Sequence, residues 1–173
     1  MYFKNKLKLV FLVIAAAAVI SSCSGTRDDL LLLDTFTKNS VMVSIYLNRP
    51  KDGASLLVAS FVPEAGLHLY SKEIPRNGVD GLGRPTLLEL TPASKMTAAG
   101  ELTESIPAQI PAFEPKELLV YPVGMVTLTL PVTLPDGNGP MDDKISITYM
   151  ACSDTGCKAP VVNQILVVHL PIQ

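Results

Sequence analysis

The chain has 173 residues, 48% of them hydrophobic and 17% charged, with 14 prolines, 11 glycines, 3 cysteines and no tryptophan. Residues 1–22 stand apart, with 16 apolar side chains and three lysines, while the other 151 residues carry eleven basic against sixteen acidic groups, a net charge of −5. This is the composition of one globular domain with a sizeable core. It excludes a disordered chain, a multi-domain enzyme and a polytopic membrane protein, and acids outnumbering scattered bases speak against nucleic-acid binding.

Lys4, Lys6 and Lys8 precede an apolar run over 9–20. Twelve helical residues span roughly 18 Å, too short for a hydrocarbon core of about 30 Å. The pattern predicts a cleaved signal segment over 1–22. Ile20-Ser21-Ser22-Cys23 resembles a bacterial lipobox, so Cys23 is expected to carry lipid as the first mature residue. The chain is then exported to the periplasmic side and anchored at the inner or outer membrane. No later apolar run reaches 18 residues, so that lipid is the expected anchor. Residues 23–39 read as the lipidated cysteine and a tether, although the run 30–33 suits a short first strand better than a linker. The domain itself is expected over 40–173.

From residue 41 the apolar pattern is period two or nearly continuous, broken by turn signals every 8–12 residues. Apolar segments cover 41–47, 55–62 and 67–70, with turns by composition at 49–53 and 63–66. A polar, Gly-rich stretch over 71–85 leads to 86–90. Further β-rich segments cover 118–121, 125–134, 144–150 and 161–170, with a strong turn at 136–140. Pro131 predicts an edge or a bulge for its strand, because proline cannot donate to a ladder. No amphipathic helix is apparent after the signal. Seven to nine short strands predict an all-β, immunoglobulin-like β-sandwich.

Common catalytic signatures are missing from the sequence, including the nucleophile elbow, the phosphate loop and the zinc-protease helix. The glycines over 78–83 neither follow a strand nor open a helix, which argues against a phosphate cradle. His68 and His169 with Cys152 and Cys157 match no zinc-ligand spacing. A metal-handling thiol pair is the weakest reading, and each histidine is expected on a strand with a local hydrogen bond.

Cys152 and Cys157 remain, an even pair at the end of one strand and the start of the next. The tight loop between them lets their sulfurs bond. Closing so short a loop stabilises by about 2 kcal/mol, against about 3 for fifteen residues. A full-cored domain hardly depends on that, which leans weakly toward redox use. Spacing alone leaves both readings open, exchange or a passive staple in a binding or scaffold lipoprotein. Lys158 favours a thiolate at Cys157 and Asp154 opposes one, making Cys157 the better electronic candidate for the sulfur that a partner attacks. Such exchange needs no cofactor.

The stretch 145–160, a strand followed by Tyr149-x-x-Cys152-x-Asp154-x-x-Cys157-x-x-Pro160, resembles the N-terminal periplasmic domain of the thiol:disulfide interchange protein DsbD. Two further stretches agree in order: Gly66-Leu67-His68-Leu69-Tyr70-Ser71 with 83–90, and 113–131, which contains Val120-Tyr121 and Leu128-Thr129-Leu130-Pro131. The resemblance covers nearly the whole domain. It implies an immunoglobulin-like sandwich whose cysteines shuttle electrons, with Cys157 forming the mixed disulfide and Cys152 resolving it. It also implies that Phe113 is a cap aromatic over the sulfurs, and that Tyr70 and His68 lie on the active-site face. The implied partners are a thioredoxin-like or membrane electron donor and exported disulfide-bearing proteins. Glu114-Pro115 stands where the family often has an aromatic and glycine. The sequence shows no transmembrane electron carrier, so the expectation is either a donor that is a separate protein or a reuse of the fold.

Overall fold

A computed structural model of the chain describes residues 29–137 and 139–171. The signal-like segment 1–22 and Cys23 lie outside them. The described residues form twelve strands and no helix: β1 (Asp29–Lys38), β2 (Val41–Arg49), β3 (Ser55–Pro63), β4 (His68–Leu69), β5 (Leu87–Leu90), β6 (Thr97–Ala98), β7 (Thr103–Glu104), β8 (Val126–Thr133), β9 (Met141–Tyr149), β10 (Ala151–Ser153), β11 (Gly156–Cys157) and β12 (Val161–Leu170). Seven of these have four or more residues, within the expected seven to nine. The other five are pieces of two or three residues, which carry no periodicity to read.

One sheet runs β1-β2-β3-β8, with β6 and β7 both lying along β8, and a second runs β12-β9-β5. Alternation explains why these two sheets face each other. Val41, Val43, Ile45 and Leu47 on β2 are buried, as are Leu57, Ala59 and Phe61 on β3 and Val126, Leu128, Leu130 and Val132 on β8. Ile145, Ile147 and Tyr149 on β9, with Leu166, Val168 and Leu170 on β12, supply the opposing face of one continuous core. Each large apolar side chain buried there contributes roughly 1.5–3 kcal/mol. Phe61 meets Tyr149 edge-on between the sheets, with ring centroids 5.8 Å apart.

Buried Asp143 ties a connection to this core. It accepts hydrogen bonds from Ser94 Oγ at 3.0 Å and from the Lys95 and Met96 amides at 2.9 Å each. The turn before β6 is thereby held while Met96 enters the core.

Three expectations need correction. The strand suggested over 30–33 is longer than expected and takes up most of the tether: residues 29–38 form the edge strand β1, paired with β2 from Asp29↔Arg49 to Lys38↔Val41. Asn39 and Ser40, at φ 51° and 62°, make the two-residue reversal whose left-handed backbone matches strand twist. Pro131 lies inside the sheet, not at its edge: β8 pairs β3 on one side and β6 with β7 on the other. The Pro131 carbonyl accepts the Ala99 amide at 2.8 Å, so its missing N–H points the same way, into the gap between β6 and β7. Gly100 fills that gap against the proline ring, where a Cβ would lie 3.0 Å from Cγ. Residues 118–121, finally, form no strand and only bridge, through Val120, to Tyr70 and Gln109.

Candidate functional site

Strand β9 runs through Met150 into the β10–β11 hairpin, which reverses at Asp154-Thr155. Ser153 Oγ accepts the Thr155 amide at 3.3 Å and donates to the Gly156 carbonyl at 3.2 Å. The Lys158 amide donates to the Ala151 carbonyl at 2.9 Å, closing the base. Cys152 and Cys157 are direct cross-strand partners with Cα atoms 4.0 Å apart, joined as a disulfide. On the other side of β10, Cys152 pairs with His68 of β4. His68, Cys152 and Cys157 therefore stand abreast on three neighbouring strands, and directly paired residues project to one face. The two cysteines differ sharply in burial: Cys152 is 1% exposed, whereas Cys157 lies open to solvent.

Two loops wall this row. Arg84 stitches the loop 71–85 by donating from Nη1 to the carbonyls of Asn77 at 2.9 Å and Gly81 at 3.0 Å, and also to that of Gly83. Gly83 has φ +74°, and a Cβ there would sit 2.8 Å from Leu118 Cδ2, so glycine is what lets the two loops touch. In the loop 107–119, Lys116 Nζ donates to the carbonyls of Pro111, Ala112 and Phe113 at 3.3 Å each. Its ion pair with Glu114 spans 3.4 Å. The paired amides and carbonyls of Gln109 and Val120, at 2.7 and 2.9 Å, hold the ends of this loop together.

The fastening places Phe113 on the site. Its ring stacks on His68 with centroids 5.7 Å apart and planes at 28°. Tyr70 meets the same imidazole edge-on at 5.5 Å, and its hydroxyl lies 4.0 Å from Cys157 Sγ. Between loops and hairpin lies a mainly apolar cleft of about 630 Å³, with Leu82, Leu118 and Met150 among its walls and the disulfide on its floor. Burial pushes the His68 imidazole below its ordinary pKa, with Asp154 pulling the other way. Burial likewise raises the Tyr70 phenol. His68 Nε2 is buried and has no hydrogen-bond partner among the described residues, contrary to the local bond expected for it.

Of the residues singled out from sequence, Cys152, Cys157, Phe113, Tyr70, His68 and Asp154 all line this cleft. Lys158 follows the hairpin and is exposed, just outside the lining. His169 lies apart from it on β12, paired with Asp142. Tyr121 belongs to the core, where its hydroxyl donates to Glu104 at 2.6 Å and accepts the Lys72 amide at 3.1 Å. Cys23 lies outside the described residues. Sequence reasoning passed over Arg84, Lys116 and Gly83. For Lys116 the available signal was a lone basic residue inside a Pro-rich loop, a position suited to gathering backbone carbonyls; Arg84 shares its loop with Lys72 and Arg76 and had no such signal.

No family model matches the chain, and no curated protein matches it either. Among solved structures, it is similar to the DsbD N-terminal domain of Neisseria meningitidis in the reduced form. Identity is 18%, coverage is 73% of this chain and 82% of that one, and the TM-score is 0.43. It is also similar to the GAE domain of GGA2p from Saccharomyces cerevisiae, at 9% identity, 83% and 98% coverage and a TM-score of 0.41.

The chemistry available to the site follows from its own geometry. A thiolate entering the cleft can reach Cys157 while Cys152 stays covered. Attack on Cys157 Sγ forms a mixed disulfide, breaks the Cys152–Cys157 bond and leaves the electron pair on Cys152.

Proposed function

We propose that this chain is an exported, lipid-anchored domain that passes electrons by thiol–disulfide exchange through Cys152 and Cys157. The observation that carries the reading is the asymmetry of the pair, one sulfur-bearing residue exposed on a cleft and its partner 1% exposed beneath it. A staple has no use for such a cleft, whereas exchange needs one reachable sulfur and one protected from outside thiols. The resemblance of 145–160 to the DsbD N-terminal domain supports the same reading and implies that Cys157 forms the mixed disulfide and Cys152 resolves it. Phe113, stacked on His68 at the cleft wall, is the side chain that a docking partner would displace, while Cys157 is already exposed.

The proposed partners are a thioredoxin-like or membrane-embedded donor and exported proteins carrying disulfides. The lipobox-like Ile20–Cys23 supports a periplasmic location with lipid on Cys23. The test is the reduction potential of the pair in the full chain, read by thiol trapping across a dithiothreitol series. Exchange predicts a potential well above about −300 mV and rapid reaction with a thioredoxin-like protein. A more negative potential with slow exchange would mark the bond as structural and overturn the proposal.

A further inference from the structure

We propose that His68 is the proton acceptor for the Cys152 thiol in the step that closes the disulfide, an inference that rests on the exchange reading above. The placement is the first argument. His68 is the direct cross-strand partner of Cys152, on the side of β10 away from Cys157. Cβ atoms so paired lie about 4.5–5.5 Å apart, within reach of an imidazole and a thiol. The second argument is the orphaned atom: Nε2 is buried and has no partner among the described residues while the cysteines are oxidised. An unpaired buried ring nitrogen is costly, and a reduced Cys152 would supply the missing S–H.

The surroundings hold the ring ready. Phe113 stacks on one face of the imidazole and Tyr70 meets it edge-on. The charged and titratable groups around it are Asp154 on the hairpin, Tyr70 beyond β4, and Glu114 with Lys116 on the capping loop. Lys116 is engaged with three carbonyls and Glu114. Burial outweighs Asp154 and keeps the imidazole neutral, with a lone pair to offer.

The step balances as follows. In the mixed disulfide, Cys157 Sγ is bonded to the partner's sulfur and Cys152 is a buried thiol. A bare thiolate there is disfavoured by its apolar cover. The proton passes from Cys152 Sγ to His68 Nε2 as the sulfur's electron pair forms the Cys152–Cys157 bond. The bond from Cys157 to the partner breaks, and its electron pair departs on the partner's sulfur as a thiolate. The two cysteines are oxidised, the partner disulfide is reduced, and the proton on His68 leaves to that thiolate or to water.

The experiment mixes the reduced full chain, carrying Cys23→Ser so that only the pair reacts, with one equivalent of 5,5′-dithiobis(2-nitrobenzoate) in stopped flow. A first thionitrobenzoate reports attack by Cys157, and a second reports closure by Cys152. The wild-type second phase should rise with the ionisation of an imidazole, with its inflection below the ordinary imidazole value near 6.5, and then level off. In His68→Phe and His68→Gln it should fall about tenfold or more relative to the first phase and lose that inflection. The Phe variant keeps a ring for Phe113 to stack on, and the Gln variant keeps polarity, so a packing role predicts divergent results for the two. A second phase within about twofold of wild type, or a wild-type profile with no inflection, would overturn the proton role. Absence of the first phase in wild type would instead bring down the exchange reading, and this inference with it.

Discussion

Lys116→Met keeps the aliphatic stem and removes the three donors that gather the capping loop. The wild-type ammonium lies 3.3 Å from each of the Pro111, Ala112 and Phe113 carbonyls, long for a charge-assisted bond, and its side chain is 48% exposed. Good buried bonds from a charged donor contribute roughly 1.5–3 kcal/mol each, but distance and solvent bring the whole set down to about 1–2 kcal/mol. That energy holds the loop against local opening, so its loss should raise the open population about 5–30-fold. Native-state hydrogen exchange reads this at Gln109 and Val120, whose amides bond each other's carbonyls at the loop's neck. Both should exchange faster by that factor, while amides of the β2–β3–β8 ladders keep their wild-type rates. Unchanged exchange at the neck would refute the fastening role. Equal acceleration in the ladders would show that Lys116 acts on global stability instead.

Three further outcomes follow from the same geometry. In Cys152→Ser, the remaining Cys157 should alkylate with iodoacetamide about tenfold or more faster than Cys152 does in Cys157→Ser, since one residue is exposed and the other buried; comparable rates in the folded variants would contradict the asymmetry. Asp143→Ala leaves the Lys95 and Met96 amides without their acceptor and should cost about 2–4 kcal/mol in denaturant unfolding; a cost under about 1 kcal/mol would mean that water or backbone replaces the carboxylate. Because the folded-state pKa of His68 is lowered, the unfolded chain binds the proton first as pH falls. Its contribution is complete above the unfolded value near 6.5 and is lost as pH drops from there toward the folded value. His68→Phe should flatten that part of the stability–pH curve, and a curve of unchanged slope would show that other groups produce it.

Much of the fold was legible locally. The alternation over 41–47 and 55–62 states which face each strand buries, because a side-chain period of two belongs to the strand itself. The Cys152–Cys157 hairpin was legible for the same reason: its pairing spans only four intervening residues. The sequence Asp-Leu-Leu-Leu-Leu-Asp-Thr-Phe-Thr-Lys suggested a strand only over 30–33 and hid the full extent of β1, since its first half has no alternation and Leu30 and Leu32 stay exposed even in the strand. Pro131 misled because the rule against central prolines assumes an unbroken neighbour on each side, and β8 has a gap beside it.

By itself, then, the sequence determined an all-β chain with a closely spaced cysteine pair and a set of aromatics to accompany it. Those features depend on local propensity, periodicity and short loop closure, which act over a few residues. The tertiary structure alone decided that Cys152 is the buried partner, that His68 stands directly beside it with an unpaired nitrogen, and that Lys116 and Arg84 hold the two walls. Each of these needs segments distant in the chain to meet in one register, and the free energy that selects the register belongs to the whole core, with no single segment encoding it.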